Sequence, residues 1–300
     1  MAAPRTRLVV VGGPTASGKT ALAIDLARNL GTEIISADSR QFYTEMRIGN
    51  ARPTQEELAA VPHHFVADRS VTEPLTAGRF AEEAMALYQR QFSEADYLVV
   101  VGGSGLYLRA LCEGLDEFPK VTEGARSRVQ SIYEEQGLVG LQTQLGRLDP
   151  DYYATVDTQN HRRLQRALEV TISAGRPYSS FLGNRPARPF DLVYLMPEID
   201  RASLYERINL RVDKMLTQGL EAEAKALQPY ADLPALQTVG YQEWWPYFAG
   251  EYDRDRAIEL IKRNSRRYAK RQLTWFGKGR LYQPVRAPAA ALSYVQNFNL

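Results

Sequence analysis

The chain has 300 residues, 44% hydrophobic and 24% charged, with a formal net charge of +2. That length suits one core carrying an insertion, and the composition excludes disordered, fibrous and collagen-like classes. No apolar run approaches bilayer length, no signal-peptide pattern opens the chain, and Cys112 is the lone cysteine, which rules out an intrachain disulfide or thiolate metal cluster and predicts a cytoplasmic protein.

Residues 8–11 read as an apolar strand and 20–30 as a helix stopped by Gly31. Between them Gly13, Pro14, Thr15, Ala16, Ser17, Gly18, Lys19 and Thr20 fit G-x-x-x-x-G-K-[ST], in the strand–loop–helix context that this pattern requires. Inward-turned N–H groups and a helix N-terminus suit a diphosphate or triphosphate. Lys19 adds a full charge, and the Thr20 hydroxyl can coordinate Mg²⁺.

A second strand over 33–37 runs into Asp38-Ser39-Arg40-Gln41. Asp38 fits a turn or helix cap, a Mg²⁺-holding carboxylate, or a proton acceptor beside the phosphate pocket. Thr76 can cap a helix through Gln91, and residues 97–101 form a buried parallel strand. That strand enters Gly102-Gly103-Ser104-Gly105, either a tight turn or a close approach of backbone and the Ser104 hydroxyl to a ligand. It ends without Asp or Glu, so the second carboxylate of an ATP-hydrolysing site is missing there.

From 115 to 189 the pattern turns helical, over 123–136, 138–148 and 161–174, with Gly137 and Gly175 as stops. Strand character returns at 192–196. The expected fold is therefore α/β: a P-loop parallel sheet flanked by helices (1–117 and 190–300, ending in basic helices), with a helical insertion domain at 118–189. Arg207 and Arg211 share one face of a helix near 200–219, either as solvated ion pairs or as forked ligands to a leaving diphosphate. Arg162, Arg163 and Arg166 cluster in the insertion, while His63 and His64 lack further ligands at metal-binding spacing. Lys262, Arg263, Arg266, Arg267, Lys270 and Arg271 interleave with Tyr268, Trp275 and Phe276, the mixture that a phosphate backbone and unstacked bases require.

The phosphate loop, Asp38-Ser-Arg-Gln41, Gly49-Asn-Ala-Arg-Pro53, Pro62-His-His64 and Gly102-Gly-Ser-Gly-Leu-Tyr107 form one set of motifs. Arg162-Arg-Leu-Gln-Arg-Ala-Leu-Glu169, Leu204-Tyr-Glu-Arg-Ile208, Arg211-Val-Asp213, Gln237-Thr-Val-Gly-Tyr241 and Tyr268-Ala-Lys-Arg-Gln-Leu-Thr-Trp275 complete it. Over nearly its whole length the chain resembles the bacterial tRNA dimethylallyltransferases (tRNA isopentenyltransferases). The resemblance implies transfer of a dimethylallyl group from its diphosphate to N6 of adenosine 37 of tRNA, next to the anticodon. It casts Asp38 as general base, with Ser104 close to the reacting groups. The phosphate loop, Arg207, Arg211 and a Mg²⁺ ion on Thr20 would hold the diphosphate. It places Asp38, Ser39, Arg40, Gln41, Ser104, Arg126, Arg162, Arg163, Leu164, Gln165, Arg166, Lys270 and Arg271 on the tRNA, with the target base turned out of its stack. The partners implied are tRNA and dimethylallyl diphosphate, with no membrane and no obligate protein partner, so a monomer is expected.

Three departures from the family pattern stand out. Ser104 replaces the usual Thr, Gly49-Asn-Ala-Arg-Pro53 replaces Gly-Thr-Ala-Lys-Pro, and Arg266-Arg267 stands where Thr-Arg is usual. The competing readings are an enzyme that prenylates free adenine nucleotides, an ATP-dependent small-molecule kinase, and a non-catalytic RNA-binding module. The basic C-terminal third, the absent carboxylate and the intact Lys19, Thr20 and Asp38 weigh against each in turn.

Overall fold

The computed structural model describes residues 5–298. Its framework is one sheet of six strands, all pairings parallel. In chain order the elements begin with β1 (Arg7–Gly12), α1 (Lys19–Leu30), β2 (Ile34–Ser36), α2 (Gln55–Ala60) and β3 (His63–His64). They continue through α3 (Ala77–Gln91), β4 (Tyr97–Gly102), α4 (Gly105–Glu113), α5 (Glu123–Leu148), α6 (Pro150–Tyr153) and α7 (His161–Ala174). The last part holds β5 (Asp191–Pro197), α8 (Arg201–Thr217), α9 (Leu220–Leu227), α10 (Trp244–Phe248), α11 (Arg254–Phe276), β6 (Gln283–Val285) and α12 (Pro288–Gln296). The strand order is β3-β2-β4-β1-β5-β6.

The central strands are apolar throughout because both faces of the sheet are covered. Alternate side chains point to opposite faces. Leu8 and Val10 of β1 join Leu98, Val100 and Ile35 in a cluster with Phe80, Ala84 and Leu87 of α3 and Leu108 and Leu111 of α4. Val9 and Val11 join Val99, Val101, Val193 and Leu195 on the other face, under Leu22, Ala23 and Leu26 of α1 and Ala291 and Val295 of α12. Register follows directly: Val9 pairs with Val99 on one side and Val193 on the other. The carboxyl ends of β1, β2 and β4 therefore finish level, and a ligand site at that edge is the usual consequence of such a sheet.

The chain divides into two compact units, Met1–Cys112 with Arg188–Leu300, and Glu113–Ala187. The second is helical. Its core is built from Val129, Leu141, Leu145, Leu164, Ala167 and Leu168. Helix α5 breaks at Gly137, whose φ of 61° and ψ of −151° are open to glycine and costly for any other residue. Buried Asp149 caps α6 by accepting the Tyr152 N–H at 3.0 Å and takes the Ser179 N–H and hydroxyl, both at 2.7 Å.

The short elements β3, β6, α2, α6, α9, α10 and α12 have no counterpart in the sequence reading. Two or three residues cannot show a periodicity, and Pro284 in β6 is tolerated because that strand lies at the sheet edge. Among the described residues no helix is long and apolar enough to cross a membrane.

Candidate active site

The phosphate-loop pattern folds into a turn that leaves β1 and enters α1. Gly13 (φ 147°), Ala16 (φ 65°) and Gly18 (φ 89°) take positive angles, which turns successive peptides toward a common point. The peptide between Pro14 and Thr15 is held from several sides. The Lys19 ammonium donates to the Pro14 carbonyl at 3.3 Å. The Thr15 N–H donates to Gln272 Oε1 at 2.9 Å, and Arg211 Nη1 donates to Thr15 Oγ1 at 3.2 Å. Burial pulls the Lys19 pKa down to about 8; the Asp38 carboxylate opposes this shift and the Arg211 guanidinium adds to it.

Asp38 follows β2, and Ser104 follows β4. The buried Ser104 hydroxyl accepts the Ser39 N–H at 3.0 Å and lies 3.0 Å from Ser39 Oγ, so it fastens the two strand ends together. Asp38 Oδ1 accepts the Arg40 N–H at 3.2 Å. A Cβ on Gly103 would sit 2.5 Å from Gln272 Nε2 and 3.4 Å from Asp38 Oδ2, so glycine is required for this close approach. Tyr268 of α11 reaches the same place: burial raises its hydroxyl pKa, the nearby Asp38 charge raises it further, and a hydrogen bond with Ser104 partly offsets both.

These groups face a cavity of about 750 Å³, whose lining includes Thr15, Lys19, Thr20, Asp38, Arg52, Arg211, Tyr268 and Gln272. The 47–54 loop forms another wall. Glu223 of α9 holds it by accepting the N–H groups of Arg47, Ile48 and Gly49 at 2.8–3.0 Å, and it takes the Tyr241 hydroxyl at 2.6 Å. Three acids line the cavity: Asp38, Glu57 and Glu223. Glu57 is engaged in the α2 capping box, accepting the Thr54 N–H at 2.8 Å. Glu57 also reaches Arg211, while Asp38 is within electrostatic reach of both Lys19 and Arg211.

A family model described as IPP transferase matches residues 41–279. The chain belongs to the IPP transferase family. Among its curated relatives, the tRNA dimethylallyltransferase of Christiangramia forsetii is 48% identical over 272 residues, 90% of each chain. That of Flavobacterium johnsoniae is 46% identical over 276 residues, 90% of this chain and 89% of the relative. The solved structure of the full-length tRNA isopentenylpyrophosphate transferase from Bacillus halodurans superposes with a TM-score of 0.71 at 34% identity, covering 97% of this chain and 95% of the other. A eukaryotic dimethylallyltransferase acting on tRNA superposes with a TM-score of 0.80 at 26% identity, covering 94% and 74% of the two chains.

The structure gathers some of the residues expected from this IPP transferase sequence and disperses others. Lys19, Thr20, Asp38, Arg40, Gln41 and Arg211 line the cavity, whereas Ser39 and Ser104, hydrogen-bonded to each other, lie outside its lining. Arg207 does not: it is solvent-exposed one turn before Arg211 and is absent from the cavity wall. Leu164, expected on the tRNA, has a side chain that is 0% exposed within the core of the helical unit. Its helix still presents Arg162, Arg163 and Arg166 to solvent, with Gln165 half-buried, and Arg126 is exposed on α5.

The side chains of Arg40 and Gln41 serve the protein itself. Arg40 donates to the carbonyls of Gly49, at 2.9 Å, and Val239, and Gln41 donates to the Ala51 carbonyl at 3.1 Å. Part of the basic run on α11 is also structural: Lys262 pairs with Asp213 at 2.5 Å and Arg266 donates to Asn209 at 2.6 Å, which fastens α11 to α8. Lys270 and Arg271 are exposed.

Cavity residues to which the sequence assigns no role include Arg52, Glu223 and Gln272, while Tyr268 reads there only as part of the basic, aromatic run. Tyr268 and Gln272 stand at i and i+4 within a motif that had been noted, and that spacing was the available signal. For a divalent cation the site supplies the Thr20 hydroxyl beside Lys19, and no group of three or more His, Cys, Asp or Glu exists among the described residues. That donor set fits a Mg²⁺ ion taking its remaining ligands from phosphate oxygens and water.

Proposed function

We propose that the cavity holds dimethylallyl diphosphate on the Gly13–Thr20 loop and presents its allylic carbon to N6 of adenosine 37 of tRNA. The family and its named relatives support a dimethylallyl transfer to tRNA. In the reaction the N6 lone pair forms a bond to C1 of the dimethylallyl group as the C1–O bond breaks. The bonding electrons leave with diphosphate, and one N6 proton passes to the Asp38 carboxylate, giving N6-isopentenyladenosine.

Lys19, Arg211 and the loop amides meet the charge that develops on the departing oxygen. Mg²⁺, held through the Thr20 hydroxyl, would supply further neutralisation of that diphosphate. Ser104 holds Ser39 and thereby the Asp38 turn. Exposed Lys270 and Arg271 contact RNA phosphates, and on the helical unit Arg126, Arg162, Arg163 and Arg166 do the same. The enzyme acts as a monomer in the cytoplasm.

The observation that carries this reading is the placing of Asp38 within electrostatic reach of both Lys19 and Arg211. One of its oxygens accepts the Arg40 N–H, while Glu57, which also reaches Arg211, closes the α2 capping box and Glu223 gathers the N–H groups of the 47–54 loop. A base beside a diphosphate cradle, with no hydrolytic carboxylate after β4, is suited to displacing diphosphate rather than splitting a nucleotide. Incubation with labelled dimethylallyl diphosphate should transfer label to tRNA but not to AMP, without ATP consumption. Label on AMP, or steady ATP turnover with the prenyl donor untouched, would overturn the assignment.

A further inference from the structure

Gln272 is 5% exposed, near the C-terminal end of a helix whose outward face is charged. Both ends of its amide are engaged: Oε1 accepts the Thr15 N–H at 2.9 Å, and Nε2 donates to the Gly103 carbonyl at 2.8 Å. The two partners belong to different loops, the phosphate loop after β1 and the glycine turn after β4. The peptide that Gln272 grips at its N–H is the one whose carbonyl accepts the Lys19 ammonium. A rigid peptide plane transmits orientation from one end to the other, so an anchor at the Thr15 N–H also sets where Lys19 is held. The geometry accounts for Gly103 as well, since a Cβ there would stand 2.5 Å from Gln272 Nε2. One face of α11 continues the same packing: side chains at Gly105 and Gly12 would collide with Trp275 and Phe276.

We infer that Gln272 is a positioning residue for the transfer reaction. It fixes the diphosphate cradle, through the Pro14–Thr15 peptide, at a set distance from the turn that carries Ser104 and, through it, Ser39 and Asp38. It lines the cavity beside the phosphate loop and acts through Lys19 and that loop. The pairing needs a group that accepts on one side and donates on the other, which a primary amide does and an ionised carboxylate does not.

This role rests on the transfer reaction proposed above, and the test separates the two. Wild-type protein must first move labelled dimethylallyl groups to tRNA; its failure would sink the reaction, not the anchor. Binding of inorganic pyrophosphate then reports on the cradle without an acceptor. Gln272→Met keeps the length and loses both hydrogen bonds. It should weaken pyrophosphate binding and raise the donor KM by about ten- to thirtyfold, with tRNA affinity within about twofold of wild type.

Gln272→Glu provides a readout that a merely structural role would not move. A protonated carboxyl accepts and donates as the amide does, and burial favours that form. The ratio of Gln272→Glu to wild-type kcat/KM should therefore climb as pH falls from about 8.5 to 5.5. Unchanged pyrophosphate affinity in Gln272→Met would overturn the inference, as would a loss confined to tRNA binding. If Gln272→Met does not fold, the pH ratio of Gln272→Glu decides, and a flat ratio rejects the anchor.

Discussion

Lys19 illustrates how burial tunes a single charge. Its pKa of about 8 lies below the ordinary lysine value because the folded protein desolvates the ammonium more than Asp38 compensates. The sign is that of a depressed base: the unfolded chain binds this proton more readily, so Lys19 costs stability at low pH and the cost is relieved as pH rises through about 8. Ligand binding has the opposite dependence, because pyrophosphate needs the charged form. The ratio of wild-type to Lys19→Gln calorimetric pyrophosphate affinity, in which the ligand's own ionisation cancels, should fall as pH rises above about 8; a ratio independent of pH up to about 9.5 would refute a role for this ammonium. Asp38 is the complementary case. Asp38→Asn keeps the size and loses the proton acceptor, so kcat should drop by about a hundred- to ten-thousandfold while pyrophosphate binding persists. Retention of more than about a tenth of wild-type kcat would remove Asp38 from the role of base.

At the scale of elements, different forces place α11 and the 47–54 loop. Helix α11 is positioned by what it omits as much as by what it carries: glycine at 12, 103 and 105 lets Phe276, Gln272 and Trp275 approach the strand ends. A methyl group at Gly105 would meet the Trp275 indole, so Gly105→Ala should destabilise the protein by about 1–3 kcal/mol in denaturant unfolding. The 47–54 loop has few apolar anchors and depends on the Glu223 carboxylate, which gathers three backbone N–H groups and the Tyr241 hydroxyl. Such clustering of polar groups cannot be read from sequence, since Glu223 and Gly49 are far apart in the chain and neither sits in a pattern that links them. The phosphate loop is the contrary case, because strand, glycines, Lys19 and Thr20 are contiguous and their geometry is local.

For the whole molecule, the helical unit and the sheet unit make different demands on a mutation. Leu164→Ala in the helical core should lower stability by about 2–5 kcal/mol through cavity formation, whereas a residue whose side chain met RNA would leave thermal unfolding untouched. Arg162→Ala with Arg163→Ala, both exposed, should leave unfolding and pyrophosphate binding unchanged, weaken tRNA binding and reduce the steepness of its salt dependence. An unaltered salt slope would take these arginines off the RNA. The alternation of strands with helices, the phosphate loop and its Lys19 and Thr20, and the place of Asp38 at a strand end were legible in the sequence, because each depends on neighbours within one turn or one strand. Only the tertiary structure decided that Arg211 faces the cavity while Arg207 does not, that Leu164 is core, that Arg40 and Gln41 bind the protein's own carbonyls, and that Gln272 joins two loops. Those outcomes depend on which side of a helix meets which strand end, a relation between residues far apart in the chain that no local period encodes.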